Sequence, residues 1–484
     1  MTNDTCGVGT FSDPSSGGKR DRSGGSSPKV AVVLIGAWLT AVLMLVGLRA
    51  WEFYAAGFDL GVFVQAFRTM MLHGPFATIP MLGQTFLEDH FSPLALPLVL
   101  LARSSALPYL LLAVQTGMVA LAGLFIWRIA VRGGSRRPLL HLLGFLLAPV
   151  VVGAVWSDFH VSVLAAPFLV LMLDGLHTGA DRRVLWAGSA AALMREDIAL
   201  VVLIAILVWR PSPRMWPLII LAGLSVAGGV LLGGPNWFVE SGTRYLGATD
   251  TPIRSALAVA WDSGRLLPLV LFLVMPWVFL GHIGWRSWAV ATVLFIPLAF
   301  LDLPVLDHVG SHYYLPLGIV LAVGAARGGE RFVPSLRWVS YAAVALALVV
   351  GPLVFGISGY QDVPAWRVAK VAMQDASSVA SVHAWVNSLA LGESVSAVNS
   401  LVPWIEATDG VWVWPSPLRD VVFAKQAQTP IVRADPSAWV TDVIAPVSED
   451  SRLGPTGEAI GLGKLGFVRR SVSPLGSFVW WQRP

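Results

Sequence analysis

The chain has 484 residues, 55% hydrophobic and only 13% charged, with a mean hydropathy of +0.69; soluble domains carry roughly 25% charge, so this composition excludes one and marks a polytopic membrane protein. The net charge of +4 and pI near 9.4 do not argue for nucleic acid, because Lys and Arg of membrane proteins gather in cytoplasmic loops. The single cysteine, Cys6, excludes an intramolecular disulfide, a CxxC redox pair and a Cys-rich zinc site.

Residues 1–28 are rich in Gly and Ser and bury too little to offset chain entropy, which predicts a disordered cytoplasmic tail. The apolar run that follows is about 20 residues, long enough to span a bilayer and too long for a signal-peptide core. Placing the clusters at Lys19–Lys29, Arg128–Arg137, Arg182–Arg183, Arg210–Arg214, Arg286 and Arg327–Arg337 in the cytoplasm puts the N terminus inside the bacterial cytoplasmic membrane and the C terminus outside. The spans then fall near 30–50, 93–131, 138–155, 161–176, 184–194, 197–209, 215–233, 267–281, 287–301, 312–326 and 338–357, about eleven crossings. Two of these are irregular. Residues 93–131 are too long for one straight helix, with a break expected at "RSSALP" (103–108); 184–194 and 197–209 are each too short. The apex of that pair, Arg195-Glu196-Asp197, is either the tip of a hairpin of half-helices or the middle of a continuous helix facing a polar cavity.

In this threading the first outer loop runs from 51 to 92. Within it Leu60, Phe63, Val64, Phe67, Met70 and Met71 recur at helical spacing, which predicts an amphipathic helix in the membrane interface. Asp59 stands where its N-cap would be. The same loop ends on "FLEDHF" with Glu88, Asp89 and His90. "WSDFH" (Asp158, His160) and "LDHVGSHYY" (Asp307, His308, His312) also fall on the outer side. Acids and histidines from distant segments converging on one face point to a site, since chance would scatter them. The plainer readings are an Asp158 and His160 that cap and solvate a helix end, a Glu196 that neutralises Arg195, and a Tyr313 that anchors the interface.

After residue 358, short β-rich runs separated by Gly, Pro and Asp follow a helical stretch, "DASSVASVHAWVNSLA". This predicts a small extracytoplasmic α/β domain over 358–484, beside a transmembrane domain over 29–357. Its tryptophans 404, 412, 414, 480 and 481 are suited to stacking on sugars, although tryptophan is common at membrane surfaces.

Taken in order, "AGFDLGVFVQAF", "FLEDHFSPLALPL", "WSDFHVSVLAAP", "ALMREDIAL", "GSHYYLPLGIVLA" and "SVSAVNSLVPWI" resemble the bacterial membrane family described as domain of unknown function 2079. The likeness covers residues 30–480. The family usually has Lys-Glu-Asp where this chain has Arg195-Glu196-Asp197, and Pro where it has Val161. That family looks like the GT-C class of membrane glycosyltransferases. The resemblance implies a polyprenyl-phosphate sugar donor, an envelope glycan or glycolipid acceptor, and an essential acid in the first outer loop, the position of Asp59.

Such a transfer needs a base, groups to neutralise a departing phosphate and an apolar groove for lipid. Asp59, or failing that Asp158, is the candidate base. Arg195 with His90, His160, His312 and Tyr313 are the candidate substrate ligands, Arg offering a fork that matches two phosphate oxygens. Asp89, Glu196 and Asp197 offer hard oxygens suited to Mg²⁺ or Mn²⁺. Competing classes are a transporter or flippase, which also uses broken helices and intramembrane charge, and a non-catalytic envelope protein that binds lipid-linked glycan. Against transport stand the clustering of charge at one face and the lack of an internal repeat.

Overall fold

Backbone polar groups inside a bilayer must be satisfied within the chain, and this chain does so with helices. The computed structural model describes residues 27–55, 57–209, 213–232, 273–280, 283–300, 311–328, 365–407, 410–414, 440–447 and 462–484. The first helix, α1 (Pro28–Trp51), begins on a proline that lacks an N–H to orphan, with Ser27 Oγ accepting from the Lys29 N–H. At 24 residues it is about 36 Å long, enough to cross the hydrocarbon core. A π-type turn, Gly57–Gly61, leads into α2 (Val62–His73). A two-residue hairpin, β1 (Thr78–Ile79) and β2 (Gln84–Thr85), then a single turn, α3 (Phe86–Asp89), complete the first loop.

The expected break in 93–131 is present: a 3₁₀ segment, Pro93–Arg103, precedes α4 (Leu107–Arg132). Pro97 and Pro108 withhold the backbone donors that a continuous helix would need. Next, α5 (Pro138–Leu146) and α6 (Pro149–Trp156) meet at 43°, with Pro149 at the bend. A 3₁₀ turn, Val161–Ala165, runs into α7 (Ala166–Thr178). The stretch 184–209 forms two helices, α8 (Asp181–Ala192) and α9 (Glu196–Trp209). They part at Leu193–Arg195, so the continuous-helix alternative is set aside. Then come α10 (Trp216–Leu232), α11 (Met275–Leu280), α12 (Trp285–Phe300) and α13 (Leu315–Gly328).

Among the described residues, four segments are long and apolar enough to cross a membrane, Pro28–Trp51, Leu107–Arg132, Val161–Thr178 and Pro213–Leu232, and the bent α5–α6 pair makes a fifth. About eleven crossings were expected. The difference lies in helices too short to cross alone and in stretches, 338–357 among them, outside the described residues. The tail residues 1–26, Asp307 and His308 also lie outside them.

Among the described residues the C-terminal part has α14 (Ala365–Gln374), α15 (Ala376–Ser388) and five strands: β3 (Ser394–Ala397), β4 (Gly410–Val413), β5 (Asp442–Pro446), β6 (Val468–Val472) and β7 (Phe478–Gln482). The sheet order is β4-β3-β5-β7-β6, with β3 parallel to β4 and β5 and the β5–β7 and β7–β6 pairs antiparallel. The β6 edge carries Arg469 and Arg470 and is largely exposed, a charged edge that resists pairing with another chain. The β4 edge is covered instead. Gln65 Nε2 of α2 donates to the Val411 carbonyl at 2.6 Å, and Trp412 Nε1 donates to the Pro80 carbonyl at 3.0 Å.

This covering changes the expected role of α2. Val62, Phe63, Val64, Gln65, Ala66, Phe67 and Met70 are all buried, so α2 is clasped between the bundle and the C-terminal sheet instead of lying flat in the interface. Phe63 packs edge-on against Phe159, and Phe67 contacts Phe86. One apolar core runs from these rings into Val395, Val402, Val411 and Ile444. A β-carbon on Gly61 would lie 2.8 Å from Val402 Cγ1, so the close approach of the 3₁₀ turn Val402–Trp404 to the π-type turn requires glycine there.

Candidate active site

Asp59 lies in the π-type turn between α1 and α2. The N-cap of α2 is Gly61, with no side-chain cap, which removes the capping explanation for Asp59. Its carboxyl Oδ1 faces His160 Nε2 at 3.8 Å. Loss of hydration pushes the Asp59 carboxyl up, with Asp158 adding to the rise, while His160, Arg49 and Arg195 pull it down. Part of the side chain, 36%, is exposed.

The Asp158–His160 turn follows α6 and is fixed by a buried amide on α4. Gln115 Oε1 accepts from the His160 backbone N–H at 2.6 Å, and its Nε2 donates to the carbonyls of Ala154 and Asp158 at 3.2 and 3.3 Å. Asp158 Oδ1 accepts from Arg49 Nη1 at 2.8 Å, both groups buried. His160 Nδ1 lies 2.7 Å from the Asp158 carbonyl. A carbonyl only accepts, so Nδ1 carries the proton and Nε2 turns its lone pair toward Asp59.

His312, on the short 3₁₀ turn before α13, stacks on His160 with ring centroids 3.5 Å apart and on Tyr313 at 4.1 Å. Its buried Nε2 has no hydrogen-bond partner among the described residues. Arg195 sits at the break before α9, 5% exposed, with its guanidinium 5.8 Å from the Tyr313 ring centre and Nε 3.3 Å from Asp197 Oδ1.

The fourth contributor is the motif "FLEDHF". Glu88 is a capping residue: its carboxylate accepts from the Thr85 N–H at 2.6 Å while Thr85 Oγ1 accepts from the Glu88 N–H at 3.3 Å. His90 Nδ1 donates to Glu196 Oε1 at 2.9 Å, and the Phe91 N–H donates to Glu196 Oε2 at 3.0 Å. Burial and Arg195 push the His90 imidazole down, but Asp89 and Glu196 together outweigh them and leave it raised. Room for Glu196 comes from Gly229 on α10, where a β-carbon would lie 2.9 Å from Glu196 Cγ.

The expected residues Asp59, His90, Asp158, His160, Arg195, Glu196, His312 and Tyr313 thus form one connected cluster at one end of the bundle. The three carboxylates suggested for Mg²⁺ or Mn²⁺ are the exception in role. Asp89 accepts from Gln84 at 2.9 Å, Glu196 is held by His90 and Phe91, and Asp197 accepts from the Ile198 N–H at 2.8 Å. Among the described residues no three His, Cys, Asp or Glu side chains are grouped to hold a metal ion, and each of these three carboxylates is engaged within the chain.

Sequence reasoning missed Arg49 and Gln115. Both carried a signal, a strongly polar side chain within an apolar run, which is costly in a membrane unless it has a partner. An open cleft lined by Thr69, His73, Phe76, Thr78 and Pro80 includes none of the cluster.

A family model described as "Predicted membrane protein (DUF2079)" matches residues 49–432. A solved structure, ArnT from Cupriavidus metallidurans bound to undecaprenyl phosphate, is similar with a TM-score of 0.54 at 14% identity, covering 94% of this chain and 98% of that one. No curated protein matches in sequence. Family and fold both agree with the resemblance read from the motifs.

Proposed function

The chain belongs to the DUF2079 family of predicted membrane proteins, and on that premise we propose that it is a GT-C-like glycosyltransferase that moves a sugar from a polyprenyl-phosphate carrier to a cell-envelope acceptor at the outer face of the bacterial cytoplasmic membrane. The fold is shared with a protein whose structure holds undecaprenyl phosphate, which supports a polyprenyl-phosphate partner here. The observation that carries the reading is the convergence of Asp59, His160, Arg195 and His312, from four separate stretches of chain, on one end of that fold.

In this reading Asp59 takes the proton of an acceptor hydroxyl as its oxygen bonds to the sugar's anomeric carbon. The bond from that carbon to the phosphate oxygen breaks, and the electron pair leaves with the phosphate. Arg195, cationic and nearly dry, offsets the charge that develops there, where a low local dielectric strengthens the attraction. Asp158 is not assigned this role because its carboxylate is ion-paired with Arg49. His312 and Tyr313 offer a flat aromatic surface beside the guanidinium. Proteoliposomes with a panel of radiolabelled polyprenyl-phosphate sugars and envelope extract test the proposal. Label should enter the extract with wild type and fail to do so with Asp59→Asn at equal protein level; equal incorporation by both, or none above empty liposomes, would overturn it.

A further inference from the structure

The base at this site need not be a single carboxyl. His160 is held by two hydrogen bonds that have nothing to do with a reactant, its backbone N–H to Gln115 Oε1 and its Nδ1 to the Asp158 carbonyl, and Gln115 Nε2 steadies that same carbonyl. Together they fix both the ring orientation and the tautomer. The consequence is an acceptor nitrogen, Nε2, facing an acceptor carboxylate, Asp59 Oδ1, across 3.8 Å. Two lone-pair groups so placed repel, and one proton between them converts the repulsion to attraction. We infer that His160 shares the proton that Asp59 takes up, so that the two side chains act as one base with room for one proton.

This rests on the reading of Asp59 as base and adds His160 as the positioning residue that completes it. When Asp59 takes the acceptor proton, the proton lies on the Asp59 carboxyl or on His160 Nε2, and it returns to water through the part of Asp59 that is exposed. No other reactant is needed. The charged and titratable groups facing the pair are Asp158, Arg49 and Arg195 around Asp59, and Asp158, Arg195 and His312 around His160. Arg49 and Asp158 cancel by pairing. Arg195 is itself ion-paired with Asp197, and its cationic field opposes a doubly protonated pair. Burial lowers the His160 imidazole, while Asp59 raises it, so neither partner holds a proton well without the other.

The test compares the pH dependence of label transfer, in the assay above, for wild type and His160→Asn. An asparagine amide donates to the Asp59 carboxylate and favours its charged form, whereas the imidazole lone pair favours the proton. The acid limb of the rate profile should therefore move down by about one pH unit in His160→Asn, with a rate about tenfold lower on the plateau. A limb that stays in place, whatever the rate, would show His160 to be a packing residue and overturn the inference. If Asp59→Asn keeps wild-type activity, the reading of Asp59 fails instead, and the shared base with it. Infrared difference titration of the wild type covers the case of a variant that does not fold. The carboxyl and histidine ring bands of the pair should change at one midpoint, and two midpoints more than about one pH unit apart would overturn the sharing.

Discussion

The two ends of the helical bundle both bury carboxylates and arginines, and they handle them in opposite ways. At the end away from Asp59, the Asp174 carboxylate of α7 is 1% exposed and accepts from Arg183 of α8 and from both Nε and Nη2 of Arg327 on α13. Each of its oxygens has a partner, and the three helices are tied together by it. At the Asp59 end, His160 presents a lone pair to Asp59 at a distance too long for a hydrogen bond, and the buried His312 Nε2 has no partner among the described residues. Glu52, just after α1, is 7% exposed, and neither carboxyl oxygen has a well-formed hydrogen bond among the described residues. Buried charge with closed valences is architecture. Buried polar atoms with open valences carry a standing cost that a ligand or proton can relieve.

This contrast can be broken experimentally, most sharply at Asp59. Replacing it by Asn should lower transfer about 10²- to 10⁴-fold, the range expected for loss of a general base, with the melting temperature unmoved in thermal unfolding. Asp174→Ala should do the reverse. Leaving two arginines unpaired should cost about 3–5 kcal/mol of stability, read by detergent thermal unfolding, while transfer per folded molecule stays at the wild-type level. If Asp174→Ala instead abolished transfer in folded protein, the division between the ends would fail.

The Arg49–Asp158 pair sharpens the comparison because it joins both characters. Arg49→Met alone should destabilise by about 3 kcal/mol, and adding Asp158→Leu should recover most of that, as a buried ion pair replaced whole by apolar groups is close to neutral. Transfer should not recover in the double variant. A recovered rate would reduce the pair to packing.

The smallest effect is expected at Glu52. Burial pushes its carboxyl from 4.5 up to about 7, offset in part by the backbone of Ala372. A carboxyl whose folded-state value is raised holds its proton more tightly in the folded state, so stability falls as pH rises from about 4.5 and levels off above about 7. Glu52→Gln should therefore be more stable than wild type by about 1–2 kcal/mol at about pH 8 and equal to it near pH 4. Equal melting temperatures at both pH values would mean that Glu52 is hydrated.

Much of the helical framework was legible in the chain. Prolines 97, 108 and 149 lie in or beside the breaks, because a missing N–H acts locally, and the arginines bound the apolar runs. The site residues were legible as types, since a carboxylate or histidine beside an apolar run is conspicuous. Their roles were not. "FLEDHF" reads as three equivalent groups, yet Glu88 caps a turn, Asp89 is bound to Gln84, and His90 alone reaches Glu196. The helical pattern of α2 was right in period but silent about what would cover it, because an amphipathic stripe looks the same whether it meets lipid or a sheet.

Composition and hydrophobic runs by themselves determined a membrane chain of broken helices with acids and histidines gathered near one face, because solvation cost and missing backbone donors are properties of the residues themselves. Only the tertiary structure decided which acid is paired and which is open. Arg49 neutralises Asp158 across 109 positions, and Gln115 holds the backbone N–H of His160 from 45 positions away. The electrostatics of a buried group depend on what the fold brings within a few ångströms of it, and that proximity is not written in its neighbours along the chain.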